Sequence, residues 1–573
     1  MRTQLKVTIC ALLALLATGV AAAPFRPTHA RHAIVTSVHE LASRAGVEVM
    51  QAGGNAVDAA VATGFALAVV HPQAGNLGGG GFLLLRTAGG EVHFIDFREK
   101  APAAATENMY LDAQGNVISD LSVVGYKAIG VPGSVAGLAY ADKKYGKLSL
   151  EKVIAPAIKL ARDGFPLAYE DARDIADDED LARFPDSRRI FQRDGRYYQP
   201  DEVLKQPELA RTLERIAKNP DDFYRGALAH ELAAAIQKGG GLVTAADLAA
   251  YEVKEREPVR GTYRGYEIIG APPPSSGGTT LIEILNILEG FNLAKSGNRS
   301  ADAIHLTAEA FRRAFYDRTD FMGDPDFSKI PVPQLIDKKY ADAWRATIDV
   351  SHASPSKDLK RPAFADLERV AASHAIAIRE PENTTHYSVV DNEGDAVAVT
   401  TTLNDSFGSR VTAEGLGFLL NDEMDDFASK QGVPNAYGLI QGPANAIGPN
   451  KRPLSAMTPT IVLKDGKLFL VLGSPGGPTI ITTVANILMG VIDFGLDIQE
   501  AVNAPRFHHQ WLPDEIDVED RVSPDTMNLL RSRGHKLRVQ HFWGDGECIL
   551  VDPKSGERLG ASDGRNNGKA VGY

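Results

Sequence analysis

The run Asn383-Thr384-Thr385-His386-Tyr387-Ser388 places a threonine where it could act as a nucleophile. Val389-Val390 and Ala396-Val397-Ala398-Val399 flank the polar loop Asp391-Asn392-Glu393-Gly394-Asp395, a pattern that predicts an antiparallel hairpin. If that loop holds an odd number of residues, Thr384 faces Thr402. The two-residue alternation then sets Thr384, Thr402 and Asn404 on one face of the ribbon.

A threonine hydroxyl attacks a carbonyl only when a base sits beside it, and the free α-amine of an N-terminal threonine is one such base. Thr384 is internal in the encoded chain, so this chemistry requires scission of the Asn383–Thr384 bond. The amine so released, with an ordinary pKa of about 7.7–8.0, is partly neutral near pH 7 and can accept a proton. A Thr-rich strand packed in a sheet, which β-branching favours, fits the same residues. The hairpin alone leaves both readings open.

Separated, ordered motifs distinguish them. Thr384-Thr385-His386-Tyr387-Ser388-Val389-Val390, Thr402-Leu403-Asn404, Asn421-Asp422-Glu423-Met424-Asp425-Asp426-Phe427, Lys451-Arg452-Pro453-Leu454-Ser455, Gly473-Ser474-Pro475-Gly476-Gly477 and Asn503-Ala504-Pro505-Arg506-Phe507-His508-His509 together resemble the small subunit of γ-glutamyltranspeptidases, which are N-terminal-nucleophile hydrolases. Upstream, Gly53-Gly54-Asn55-Ala56-Val57-Asp58-Ala59-Ala60, Asp96-Phe97-Arg98-Glu99 and Pro272-Pro273-Pro274-Ser275-Ser276-Gly277-Gly278 resemble the family's large subunit.

The resemblance implies an α+β fold, the four-layer αββα sandwich, with residues 24–383 and 384–573 as large and small subunits of one shared core. It implies a self-processing enzyme in which Thr384 attacks a γ-glutamyl amide and passes the acyl group to water, an amino acid or a peptide. Glutathione and other γ-glutamyl compounds would be the donors, and no cofactor is implied. Such a substrate carries a carboxylate, an ammonium and a distal amide, so the site must offer a cation, an anion and a nucleophile.

By the same resemblance, Arg98 and Ser455 would bind the α-carboxylate, for which a guanidinium fork is suited. Asn404, Glu423 and Asp426 would surround the α-ammonium. Gly476 and Gly477 would give N–H donors to the oxyanion, Thr402 would hydrogen-bond Thr384, and Tyr437 would close a lid. Asn383 and Thr384 would form the processing site. The chain departs from the pattern at Ser455-Ala456, where many members have two serines, which removes a hydroxyl near the substrate carboxylate. Glu423 stands where some members carry glutamine.

Two rivals are a cephalosporin acylase-type amidase on the same scaffold and a non-catalytic periplasmic binding protein. Two carboxylates facing a neutral acyl tail would be costly, which argues against the first. Intact Thr384 and Thr402 argue against the second.

The elements that must position these residues follow from the rest of the chain. Leu41, Ala45 and Val49 recur at helical spacing, and Gly53-Gly54-Asn55 reads as a helix stop and restart within a helix-rich opening over 33–70. Gly78-Gly79-Gly80-Gly81 lacks the endings of a nucleotide loop and reads as close backbone approach beneath a site. Phe82–Arg86 and Val92–Phe97 predict paired strands. Helices are predicted over 154–162, 207–217, 227–237 and 300–320, with Ser300 as N-cap, and the Pro272-Pro273-Pro274 run marks a turn into a helix after Gly278. Residues 351–383 read as polar, flexible and exposed. Beyond Thr384 short strands follow at 460–463, 468–472 and 549–551, with a helix over 480–494. Together these give two central sheets with helices outside.

Composition limits the alternatives. The 573 residues are 44% hydrophobic and 23% charged, as in ordinary globular proteins. A net charge of −12 with no basic stripe excludes a nucleic-acid partner. Arg2 and Lys6, an apolar run from Val7 to Val20, and Ala21-Ala22-Ala23 have the order of a signal peptide over 1–23, so a periplasmic or secreted enzyme with no stable membrane span is expected. Cys10 lies in that leader. Cys548 is then alone in the mature chain, which forbids an intrachain disulfide, and its apolar neighbours predict a buried strand residue. His386, His508 and His509 lack the spacing of a metal motif, and no metal is expected.

Overall fold

Every side chain of the strand Gly80–Arg86 is buried, and the two-residue alternation sends successive ones to different cores. Phe82 and Leu84 join Ile34, Ile269, Ala398 and Val471 in one apolar cluster, while Leu83 and Leu85 join Val35, Val389 and Val397 in another. A sheet buried on both faces must be covered on both, and each fully buried aliphatic side chain contributes about 1.5–3 kcal/mol to keeping it so.

The computed structural model describes residues 26–118, 120–364, 367, 384–430, 433, 439 and 441–573, and it shows how this is achieved. One antiparallel sheet runs Lys569–Gly572, Ile34–Ser37, Thr385–Val390, Ala396–Thr402, Gly80–Arg86, Val92–Asp96, Lys254–Arg256. The other runs Thr28–Ala30, Arg558–Ala561, Cys548–Val551, Lys467–Leu472, Thr460–Lys464, Tyr266–Gly270, Val259–Tyr263. Helices Glu40–Gln51 and Ala56–Val70 cover the first sheet; Gly277–Glu289, Ala301–Phe321 and Thr479–Ile492 cover the second. The four layers are αββα, as expected. Each sheet takes strands from both sides of residue 384, so the two halves share one core.

The hairpin has the anticipated register. Thr385 pairs with Thr401 and Val390 with Ala396 across the five-residue loop Asp391–Asp395, which sets Thr384 opposite Thr402. Asp391 closes that loop by accepting the N–H groups of Glu393, Gly394 and Asp395 at 2.9–3.0 Å, and its other oxygen accepts Ala56 N–H at 2.9 Å. The hairpin tip is thereby tied to the start of helix Ala56–Val70. Asn55 caps that helix and exchanges hydrogen bonds with Asp58.

Some expectations change. The opening begins with the strand Ile34–Ser37 before its helices. The helix after the proline run starts at Gly277. Residues 351–364, read as exposed, are so only in part: Ser351, His352, Pro355, Lys357, Asp358, Lys360 and Ala363 face solvent, while Ser356 is buried and Arg361 pairs with Asp317 at 2.5 Å and Asp320 at 2.7 Å on helix Ala301–Phe321. Buried acids, rather than water, satisfy the Arg361 guanidinium. Cys548 is fully buried in its strand. Among the described residues no helix is long and apolar enough to cross a membrane. The leader 1–23, Asn383 and Tyr437 lie outside the described residues.

Candidate active site

Thr384 lies immediately before the strand Thr385–Val390, buried, with its hydroxyl 3.2 Å from that of Thr402. The Thr402 hydroxyl accepts Asn404 N–H at 2.9 Å, which fixes its oxygen beside that of Thr384. Asn404 has left the strand and adopts φ 85°, a left-handed conformation that asparagine tolerates better than most residues. Its side-chain nitrogen lies 3.2 Å from the Asp422 carbonyl oxygen. The glycine run packs where expected: a Cβ on Gly79 would sit 2.0 Å from the Thr402 carbonyl oxygen, and one on Gly81 2.3 Å from that of Thr400. Only bare backbone can approach this strand so closely.

Thr384, Thr402, Asn404, Arg98, Glu423, Asp426, Ser455 and Gly477 line one cleft. Gly476 and Gly477 have φ 127° and 50°, values that a side chain would strain, and they lead into helix Thr479–Ile492. The positive end of that helix therefore meets the cleft beside Thr384. Ser455 is fixed by its backbone, which donates to the Pro274 carbonyl at 2.9 Å, and its hydroxyl accepts Met457 N–H at 3.1 Å.

Arg98 is fully buried, and its guanidinium is clamped between Glu423 and Asp426. The carbonyls of Pro453 and Leu454 accept from it at 3.3 and 3.2 Å. Burial alone would lower the Arg98 pKa, but Glu423 and Asp426 outweigh it and hold the guanidinium charged. Burial pushes Glu423 well above the usual carboxylate range despite Arg98, and pushes Glu99, 3.5 Å from Arg98, up to about 7. The turn Glu423–Asp426 is thus no solvated acidic loop. Asp425 points elsewhere and accepts the Ser122 hydroxyl at 2.6 Å.

Pattern alone missed Arg318. It lies on helix Ala301–Phe321, lines the same cleft, and is anchored through Nε to the Ser276 hydroxyl at 2.8 Å. Its buried Nη1 has no hydrogen-bond partner, and burial holds its pKa down to about 10 with Asp426 opposing. The one sequence signal was indirect, since Ser276 belongs to a motif already singled out.

His386 is also buried; it shares hydrogen bonds with the hydroxyls of Thr400 at 2.8 Å and Ser388 at 3.1 Å, and burial lowers its pKa to about 3. It lies outside the cleft lining. Among the described residues His305, Glu309 and His535 are close enough to share a cation. They too lie outside the cleft, and Glu309 is already held by Arg312 and Arg313.

Two stacked antiparallel sheets between helical layers, with a buried threonine beside two glycines and a helix N-terminus, have the fold of an N-terminal-nucleophile hydrolase. The gamma-glutamyltranspeptidase family model matches residues 42–573. A glutathione hydrolase proenzyme of Escherichia coli is 51% identical, the match covering 96% of this chain and 93% of that protein. A gamma-glutamyltranspeptidase structure from Helicobacter pylori is 46% identical with a TM-score of 0.57, covering 58% of this chain and 96% of its own. A cephalosporin acylase structure from Bacillus halodurans gives a TM-score of 0.83 at 28% identity, covering 97% and 98%. The chain belongs to the γ-glutamyltranspeptidase family.

Proposed function

We propose that this chain is a self-processing γ-glutamyltranspeptidase and glutathione hydrolase. The observation that carries this is the convergence, in one cleft, of the Thr384–Thr402 hydroxyl pair with Arg98, Glu423 and Asp426. The substrate's α-carboxylate approaches Arg98 and Arg318, with Ser455 as a further donor. Its α-ammonium approaches Glu423, Asp426 and the Asn404 side-chain oxygen. Substrate binding is then an exchange of ion pairs: each charge that loses a partner within the protein gains one on the ligand, and no buried charge is left alone.

Processing comes first. The Thr384 hydroxyl attacks the Asn383 carbonyl carbon and its proton passes to the departing nitrogen; the C–N bond breaks, which frees the Thr384 amine, and water hydrolyses the resulting ester to release the Asn383 carboxylate and restore the hydroxyl. In the mature enzyme that amine takes the Thr384 hydroxyl proton as Oγ attacks the γ-carbonyl. Gly476 and Gly477 N–H groups and the start of helix Thr479–Ile492 face the developing oxyanion. Collapse expels the leaving amine, which takes the proton back from the Thr384 ammonium. Water or an acceptor amine then attacks the ester, and Thr384 is regenerated. Tyr437 is assigned the lid, and the described Leu439 that follows it in sequence lines the cleft.

Residues 24–383 and 384–573 are the proposed subunits, and the leader-like order of 1–23 supports export to the periplasm or medium. Mass and N-terminal analysis of the purified protein, with turnover of a γ-glutamyl anilide, tests the assignment. A fragment beginning at Thr384 that releases the anilide is expected. An intact, inactive chain would overturn it in favour of a binding protein.

A further inference from the structure

A second cleft also reaches Thr384, and among the described residues Thr384 is the one lining residue the two clefts have in common. Its acids are Glu170, Asp171 and Asp174 on helix Tyr169–Asp177, and Asp545; among the described residues no lysine or arginine lines it. Arg173, on the same helix, pairs with Asp174 at 2.9 Å and Asp177 at 3.9 Å.

Two of the acids are buried and unsatisfied. Asp545 is fully buried; Asn566 and the buried Glu547 approach it, but neither carboxylate oxygen accepts a hydrogen bond of normal geometry. Asp171 is 9% exposed, and its Oδ2 is likewise without a donor. His39 and His71 flank Asp171 at 3.7 Å, and burial holds His39 down to about 4, so His39 brings no positive charge at neutral pH. Burial, and next Asp563, hold Asp545 up at about 7, a state that an incoming cation would reverse. Buried carboxylate oxygens without donors are costly, and a ligand that supplies N–H groups and positive charge relieves that cost.

We propose that this cleft is the acceptor side of the active site and that it selects amines carrying a second positive charge, such as diamines and dibasic amino acids. The proposal rests on Thr384 carrying the acyl group: with the γ-glutamyl moiety in the first cleft, the second gives an attacking nucleophile its own approach to the ester carbonyl. The attacking amine arrives neutral, having given one proton to water. Its nitrogen–carbon bond forms as the Thr384 ester C–O bond breaks, and the proton leaving nitrogen returns to Thr384 Oγ. The second ammonium stays charged against Asp545, Asp171 and the rim acids.

The test sets 1,4-diaminobutane against butylamine as acceptors, with γ-glutamyl-p-nitroanilide as donor, and measures the ratio of the two γ-glutamyl amides formed by mature enzyme. The wild type should favour the diamine. Asp545→Asn should cut that preference about tenfold, the loss of one buried ion pair, mainly through the acceptor KM. A Glu170→Gln, Asp174→Asn double variant on the partly exposed helix should act in the same direction should Asp545→Asn misfold. An unchanged ratio in the variants overturns the proposal, as does an effect on maturation alone, which would make the cleft a seat for the segment preceding Thr384. Failure of the underlying reading looks different: mature wild-type enzyme would release no nitroaniline at all.

Discussion

Replacing Asp426 with alanine removes the carboxylate assigned to the substrate ammonium and one of the two acids that clamp Arg98. Truncating one partner of a buried charge pair costs about 2–5 kcal/mol, largely because the other charge is left uncompensated. Here Glu423 stays beside Arg98, and the Asp426 side chain is 15% exposed, so the lower part of that range applies. A loss of about 2–3 kcal/mol in kcat/KM corresponds to about 30- to 160-fold. The ammonium is present in both ground and transition states, so most of the loss should appear in KM. The assay compares γ-glutamyl-p-nitroanilide with glutaryl-p-nitroanilide, which lacks the ammonium, using protein confirmed to begin its small subunit at Thr384. Preference for the γ-glutamyl compound should collapse by the same factor. A variant within about threefold of wild type, or one that loses equally on both substrates, would refute the ammonium site and favour the acylase reading.

Thr384→Ala should persist as one uncleaved polypeptide after leader removal; scission at residue 383 in that variant, without added protease, would end the self-processing mechanism. Arg318→Lys keeps the charge but loses the fork, and should lower kcat/KM on γ-glutamyl anilide about tenfold in mature protein; a change under twofold would reduce Arg318 to packing. His386→Ala should keep the acid limb of the pH–rate profile, because that limb belongs to the Thr384 amine; its loss in processed, folded enzyme would falsify the amine-base assignment. His386 also sets a stability difference. Its folded pKa of about 3 lies below the ordinary 6.5, so the unfolded chain binds the extra proton and the contribution, complete above about 6.5, is lost as pH falls towards 3. The stability gap between wild type and His386→Gln should therefore narrow by about 2 kcal/mol between pH 7 and pH 5, read from urea midpoints; a constant gap contradicts a buried neutral imidazole.

Much of this protein was legible because its rules act over short stretches of chain. An odd hairpin loop fixed Thr384 opposite Thr402, since strand alternation leaves a ladder no other register. Gly53-Gly54-Asn55 marked a helix stop and restart, which the hydrogen bonds of Asn55 with Asp58 bear out, and the glycine run announced the close backbone approach at Thr402. Several separated motifs together implied the αββα layers. What local pattern could not supply was the company each charge keeps. Arg98 and Asp426 are 328 positions apart and meet only because the loops beyond strands Val92–Asp96 and Ala396–Thr402 converge at one end of the stacked sheets. Arg318 carried no signal of its own within the helix predicted over 300–320, and residues 351–364 read as exposed throughout, whereas packing buries Arg318 and docks Ser356 and Arg361. Asp171 and Asp545, 374 positions apart in the chain, line one cleft only in the folded protein. Periodicity and turn chemistry are set by neighbours in sequence, whereas desolvation and charge pairing are set by neighbours in space, and those exist only once the core has closed.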